Sequence, residues 1–479
     1  REFARPLEVV DEVLDLFIDL GASEAQLDFP VIFASGIRGV ATKDLDVEAK
    51  DLTPLFETII EKIPAPKGDE NGPLQAQITL MDYNDFVGRI AICTINRGKI
   101  IAGSTVAVVN KDGIARNVRI SKLMGFKGLK RFDIEEASVG QIVAISGLGD
   151  INVGETICAP DHLDPLPFVS IEEPTLEMFF MVNNSPFAGK DGDPVTSRKL
   201  SARLFKEMET DVALRVEATD SADMFKVAGR GELHLSILIE TMRREGMEFQ
   251  VSKPQVVIKE INGEKCEPYE YVTIDVPEEY MGPVMEKLAQ RHGEMQNMGS
   301  HNGQTRMEYL IPSRGLVGFR TEFLTDTRGY GIMNASFDSY KPYSGQITGR
   351  RSGVLIVHET GTTSSYGLSA AEERGTLFVG PGVEVYEGMI AGESNRDQDI
   401  PVNVCKEKNL TNVRSSNKDE AIRLTTPHEM SLEECIAFLN DDEYLEVTPK
   451  HLRLRKKYLK PQDRVRYLKA QQAANAENK

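Results

Sequence analysis

Hydrophobic side chains recur at helical spacing at Leu7, Val10, Val13, Leu14 and Phe17, give way to an apolar extended stretch over 30–34, and return as an amphipathic helix over 52–63. Helix, strand, helix is half of an α/β unit. Val31, Ile32 and Phe33 are apolar on both faces, which predicts a strand of a parallel sheet covered by helices, with its partner strands absent from the sequence. A stretch dense in Pro, Gly and acid over 64–73 then predicts an exposed linker.

From 74 to 168 short β-rich runs alternate with turn signals such as Asn110-Lys111-Asp112-Gly113 and Gly147-Leu148-Gly149-Asp150, as expected of a small barrel. Beyond 174 the pattern becomes strand 175–182, helix 195–208, strands 213–217 and 224–227, helix 232–245 and strand 247–251. That order is a split βαβ, ferredoxin-like unit. A second copy follows, with strand 271–276, helix 283–291, two strands around 299–303, helix 316–325 and strand 332–337. The remainder is β-rich and punctuated by Gly, with a helix over 432–440 whose Ser431 and Glu434 form a capping box. Residues 470–479 lack an apolar face and are expected to fray. The fold class is therefore multidomain α+β, in segments 1–65, 74–168, 172–260, 266–348 and 350–479.

The length of 479 residues fits three to five domains. Hydrophobic content of 41% and charged content of 27% are ordinary for globular chains, and no apolar run of about 18 residues exists to span a bilayer. Residues 1–6 carry neither an initiator Met nor an apolar signal core, so the expectation is a cut chain rather than an exported one. Cys93, Cys158, Cys266, Cys405 and Cys435 are scattered without C-x-x-C spacing, which predicts buried free thiols in a reducing cytosol. A net charge of -18 argues against a general nucleic-acid binder, yet the charge is uneven. Lys450, Arg453, Arg455, Lys456, Lys457, Lys460, Arg464, Arg466 and Lys469 face Asp463 as the lone acid between them. This basic island is either a solvated face or an RNA dock.

The run Arg97-Gly98-Lys99-Ile100-Ile101-Ala102-Gly103-Ser104-Thr105-Val106 reads as a hairpin relaxed by its glycines and resembles the R-G-x-I-x-x-G-x-x-V signature of the β-barrel domain of translation factors. Gly229-Arg230-Gly231-Glu232-Leu233-His234-Leu235 closes a strand and opens a helix, and resembles the corresponding element in the third domain of elongation factor G. Ile311 to Arg320 resembles a helix entry in that factor's last domain. Asn184-Ser185-Pro186-Phe187-Ala188-Gly189-Lys190 and the phrase over 406–420 resemble the TypA/BipA branch of ribosome-binding translational GTPases, and the likeness spans essentially the whole chain. It implies a GTPase-domain remnant, a translation-factor barrel, two ferredoxin-like domains and a C-terminal domain that contacts RNA.

A GTPase needs a Gly-rich phosphate loop ending in Lys and Ser or Thr, and no G-x-x-x-x-G-K-[ST] occurs here. Gly189-Lys190 is followed by Asp191 and reads as a loop; the D-x-x-G strings at Asp85 and Asp326 and the sequence Asn110-Lys111-Asp112-Gly113 read as turns. His234 reads as a packed, structural residue. Ala34-Ser35-Gly36-Ile37 resembles the last guanine-recognition motif, making Ser35, Gly36 and Ile37 the nucleotide-binding candidates. The resemblance implies GTP and Mg for the intact family; this chain is expected to bind neither strongly and not to hydrolyse GTP alone.

The likeness further implies a cytoplasmic monomer, without a membrane partner, that docks on the ribosome against rRNA and A-site tRNA and serves translation, ribosome assembly and stress adaptation. Lys406, Lys408, Arg414 and Lys418 are the candidates for phosphates, and Asn409, Thr411, Asn412 and Ser415 for sugar and base edges. Arg453, Arg455, Lys456 and Lys457 complete the candidate interface. A stand-alone RNA-binding module using the basic C-terminal segment is the alternative. No Ser/His/Asp grouping, metal spacing or carboxylate pair suggests a different enzyme.

Overall fold

Between the helices Pro6–Asp19 and Thr53–Lys62 the chain makes a short antiparallel hairpin, Phe33–Ser35 against Val40–Thr42, where a strand was expected over 31–33 with its parallel partners absent from the sequence. The cause is local: Gly39, at φ 66°, donates its N–H to the Ser35 carbonyl at 2.9 Å and turns the chain straight back on itself. This computed structural model describes residues 4–168, 173–301, 303–345, 347, 350, 352–407 and 423–477. Its chain divides into two compact units, Arg1–Thr79 with Ile92–Leu148 and Glu155–Leu166, and Leu80–Ala91 with Gly149–Gly154 and Pro167–Lys479.

The barrel's main sheet runs Ala115–Arg119, Thr105–Val109, Thr156–Cys158, Gln75–Asn84, Gly88–Arg97, Ile142–Ser146, Lys122–Lys127 and Lys130–Asp133, each strand bonded to the next. Among the described residues no helix interrupts it. The Gly98 segment is not a simple hairpin, because Lys99–Ile101 leaves its neighbours to pair with Glu136–Ser138. Gly98 sits at φ 73°, and a Cβ there would lie 2.6 Å from the Gly72 carbonyl oxygen, so only glycine allows this exit.

In the second unit the first ferredoxin-like order appears with boundaries close to those expected: Leu176–Val182, helix Ser197–Glu207, Arg215–Ala218, Met224–Gly229, helix Glu232–Arg244 and Met247–Ser252. Phe180, Val227, Phe249 and Val251 pack beneath Leu200, Leu204, Leu235, Ile239 and Met242. The sheet does not stop at its own domain. Glu443–Val447 adds antiparallel to Met247–Ser252, and Leu452–Lys456 folds back beside it. Leu432, Ile436, Leu445, Val447 and Leu454 accordingly belong to the same apolar cluster as the ferredoxin-like helices. The first ferredoxin-like domain and the C-terminal domain share one core.

The second ferredoxin-like sheet has the strand order Lys259–Ile261, Glu264–Pro277, Gln304–Pro312, Glu294–His301, with Ile332–Pro342 also paired to Glu264–Pro277. Its second expected helix is broken into Ser313–Leu316 and Phe319–Asp326 at Gly318, where φ is 72° and a Cβ would approach Ala437 Cβ to 2.6 Å. In the C-terminal domain Leu432–Phe438 carries the expected capping box, Glu434 N–H donating to Ser431 Oγ at 3.2 Å and Ser431 N–H to Glu434 Oε2 at 2.7 Å. The last helix, Pro461–Glu477, runs through most of the terminal segment. Cys93, Cys158, Cys266 and Cys435 are buried and Cys405 half-buried, all free; burial pushes the Cys435 thiol up to about 12. No helix among the described residues is long and apolar enough to cross a membrane.

Candidate RNA interface

The stretch 184–190 that marked the branch in the sequence, with Asp191 and Gly192 after it, closes around a buried acid instead of a phosphate. The side chain of Glu248, which is 1% exposed, accepts from Gly189 N–H at 2.7 Å through Oε2, and from Asp191 and Gly192 N–H at 2.8 and 2.6 Å through Oε1. Backbone donors clustered in one loop form a concave anion site, and the chain fills it with its own carboxylate. Phe187, at the centre of the loop, meets the Tyr386 ring edge-on at 5.0 Å and carries Lys190 over its face at 3.8 Å.

Behind this loop lies Glu446, buried at 0% exposure. Its Oε1 accepts from Asn183 Nδ2 at 3.0 Å and Ser185 Oγ at 2.8 Å and faces Arg453 Nη1 at 3.3 Å, while Oε2 accepts from the Tyr386 hydroxyl at 2.8 Å. Arg453 continues to Asp191 Oδ2 at 2.6 Å. Arg455 donates to Asn184 Oδ1 and Gln250 Oε1, and burial lowers its pKa from the ordinary value. Lys456, 2% exposed, reaches Asp399, Asp442 and Glu443 at 2.8, 2.9 and 2.9 Å.

Arg453, Arg455 and Lys456 are therefore buried in this fold and not on the exposed face expected of them. Arg453 and Arg455 are spent on a carboxylate and amides of the first ferredoxin-like domain, and Lys456 on carboxylates of its own domain. The register supplies the reason: the hairpin places Glu446 opposite Arg453, Tyr444 opposite Arg455 and Glu443 opposite Lys456. Sequence reading took the cations as a run and missed the acids across the strand. The available signal was the alternation Leu452, Arg453, Leu454, Arg455, which is strand spacing, preceded by Glu443 and Glu446 on a strand of its own.

Lys457 is half-buried, its ammonium 5.8 Å from the Tyr444 ring, 5.9 Å from Tyr458 and 5.8 Å from Tyr467. Lys450, Lys460, Arg466 and Lys469 are exposed. Lys406 is exposed as well, near the Tyr366 ring at 5.9 Å. Lys408, Asn409, Thr411, Asn412, Arg414, Ser415 and Lys418 lie outside the described residues. Ser35 ends its strand and Gly36 and Ile37 occupy the exposed turn after it, with Ile37 95% exposed. His234 is a structural residue: Nδ1 accepts from Arg230 N–H at 3.1 Å and Nε2 meets Asp211.

Two of the sequence motifs touch. Glu232, opening the helix of the Gly-Arg-Gly-Glu-Leu-His-Leu element, accepts from Gly318 N–H at 3.0 Å through Oε2, while its Oε1 is buried without a hydrogen-bond partner. Burial raises the Glu232 carboxyl above the ordinary range, opposed by the Gly318 N–H and reinforced by Glu433. A carboxyl raised in the folded state takes up a proton on folding, so its contribution is full below the unfolded value of about 4.5 and is lost as pH rises through the folded one. Glu232→Gln keeps the acceptor and drops the charge. It is expected to raise the melting temperature at pH 7.5 and to leave it unchanged at pH 4, as followed by circular dichroism; a lower melting temperature at pH 7.5 would contradict this.

The chain matches three family models in series: Elongation factor Tu domain 2 over residues 88–158, Elongation factor G C-terminus over 264–351, and TypA/BipA C-terminal domain over 352–461. It is 56% identical over 476 residues to the large ribosomal subunit assembly factor BipA of Bacillus subtilis (strain 168), a match covering 99% of this chain and 78% of that protein. It is 52% identical to the protein of the same name from Synechocystis, over 95% of this chain and 76% of the relative. Against that of Salmonella typhimurium it is 48% identical over 97% and 77%.

Proposed function

Because the chain belongs to the TypA/BipA family, we propose that its 479 residues form an RNA-docking body that binds the large ribosomal subunit, or a precursor of it, and serves that subunit's assembly in the cytoplasm. The observation that carries this reading is the 56% identity, sustained over 99% of the chain, to a relative named for that task. The fold supports it physically, since the shared sheet fixes the C-terminal domain to the first ferredoxin-like domain, so surfaces on the two present themselves to a partner in a fixed relation.

In this reading phosphates are met by Lys406 with Lys408, Arg414 and Lys418 in the segment that follows it, and by Lys457, Lys460, Arg466 and Lys469 near the C terminus. Asn409, Thr411, Asn412 and Ser415 take sugar and base edges of rRNA or of tRNA at the A site. GTP hydrolysis is not assigned to these residues, which hold no phosphate-loop sequence, and Ser35, Gly36 and Ile37 alone would hold GTP weakly. Co-sedimentation with purified large ribosomal subunits tests the reading. Saturable pelleting that weakens as salt rises supports it; no pelleting at low salt overturns it.

A further inference from the structure

The basic island keeps a second possibility after its buried members are removed. A cleft of about 470 Å³ lies beside the helix Pro461–Glu477, within the size range of small-ligand sites. Tyr458 and Tyr467, ring centroids 5.0 Å apart, contribute aromatic surface, and Ile356, Val357 and Pro401 contribute apolar surface from the paired strands Val354–Val357 and Ile400–Val402. Asp399, Asp442 and Glu387 bring carboxylates to the lining. The first two are held in place by Lys456, yet 38% and 32% of their side chains remain exposed. Arg464 braces the lining by donating to the carbonyls of Tyr458 and Leu459. Lys457 approaches both tyrosine rings, and Lys460, Arg466 and Lys469 are exposed on the same segment.

An aromatic and apolar cleft lined by acceptors and flanked by cations suits a group that is flat, rich in N–H donors on one edge, and attached to phosphate. Among the bases, guanine alone presents two adjacent donors, N1–H and the N2 amine, on its Watson–Crick edge, and a carboxylate accepts both. A lysine or arginine side chain would also meet the carboxylates, but Lys456 already neutralises Asp399 and Asp442 and Lys457 stands beside the tyrosines, which disfavours a further cation. We propose that this cleft takes a single unstacked guanine of an RNA strand, the tyrosines giving it a stacking surface and the flanking lysines meeting the adjacent phosphates. The proposal rests on the RNA-docking reading and gives it a base-specific element that phosphate binding lacks.

Fluorescence anisotropy with labelled single-stranded hexaribonucleotides, one of uridines and others with one central guanosine, adenosine or cytidine, tests it. The guanosine strand is expected to bind about tenfold more tightly than the other three. Tyr467→Ala is expected to abolish that preference and Tyr467→Phe to retain it, because the ring and not the hydroxyl stacks. Glu387→Gln is expected to reduce the preference while leaving the uridine strand's affinity unchanged; equal thermal melts certify that each variant is folded. Free guanosine monophosphate should compete only at far higher concentration, for want of neighbouring phosphates. Equal binding of all four strands, competition by guanosine monophosphate as effective as by the strand, or capture of an arginine-rich peptide in place of RNA would each overturn the proposal. Pelleting of Tyr467→Ala with large subunits separates the two readings: a strand without base preference alongside intact pelleting ends the guanine site and leaves the docking body standing.

Discussion

Replacing Glu446 with alanine is expected to cost about 3–5 kcal/mol of stability, because it breaks a fully buried ion pair from one side. The deletion leaves the Arg453 guanidinium, itself 8% exposed, with Asp191 as its remaining anion, and strips the acceptor from Asn183, Ser185 and the Tyr386 hydroxyl, three donors contributed by two domains. A buried polar group left unmatched costs about 1–3 kcal/mol, so several together outweigh any single hydrogen bond. Glu446→Gln retains an acceptor oxygen for part of this set and is expected to fall between wild type and Glu446→Ala. Hydrogen exchange read on the strand Met247–Ser252, which pairs with Glu446's strand, is the suitable measurement, since several domains need not unfold together. Protection there should drop about a hundredfold or more in Glu446→Ala, following the same free energy. Protection within a factor of two of wild type would mean that the seam does not hold the two domains together.

Lys456→Ala is expected to be comparably damaging, at about 3–5 kcal/mol, for the opposite reason: it strands anions. Asp399, Asp442 and Glu443 converge within 2.9 Å of one ammonium, and without it Arg350, at 2.8 Å from Glu443, is the nearby cation that remains. Burial alone would lower the Lys456 pKa, but the charges of Glu443, Asp442 and Asp399 together hold it above the ordinary value. Its contribution is thus full below the unfolded value of about 10.5 and is lost as pH climbs through the folded one. Lys456→Met separates charge from packing, because it keeps most of the stem and drops the ammonium. It is expected to melt as low as Lys456→Ala; a melting temperature near that of wild type would show that packing of the lysine stem, and not charge, governs the site.

Much of the architecture was legible because periodicity reports on single elements. The strands and helices of the first ferredoxin-like domain fall within a few residues of their expected bounds, and the capping box at Ser431 is formed by the two residues that suggested it. What stayed hidden depends on long-range pairing. Nothing near Met247 or Glu443 announces that their strands are neighbours, since each alternates normally and the partner is nearly two hundred residues away. The same gap explains the misplaced arginines. A run of like charges reads as a surface when its partners sit far off in sequence: Arg453 meets Glu446 and Asp191, Lys456 meets Glu443, Asp442 and Asp399, and Arg455 meets the neutral amides of Asn184 and Gln250. The hairpin at Phe33–Thr42 was not read from the sequence for a local reason, because the glycine turn that sets its pairing lies just past the apolar stretch.

The cations of the C-terminal domain thus fall into two classes with separable consequences: buried ones paired inside the protein, and those proposed to meet RNA. The most direct test is the salt dependence of binding to purified large ribosomal subunits, compared between wild type and a Lys406→Ala, Lys408→Ala, Arg414→Ala variant with an unchanged melting temperature. The account predicts weaker binding by about tenfold or more at moderate salt, and a log-affinity slope against log salt shallower by about two to three, because each cation removed leaves one phosphate un-neutralised. Unchanged affinity and an unchanged slope would contradict it, because the cations of that segment would then have no part in holding the protein to RNA.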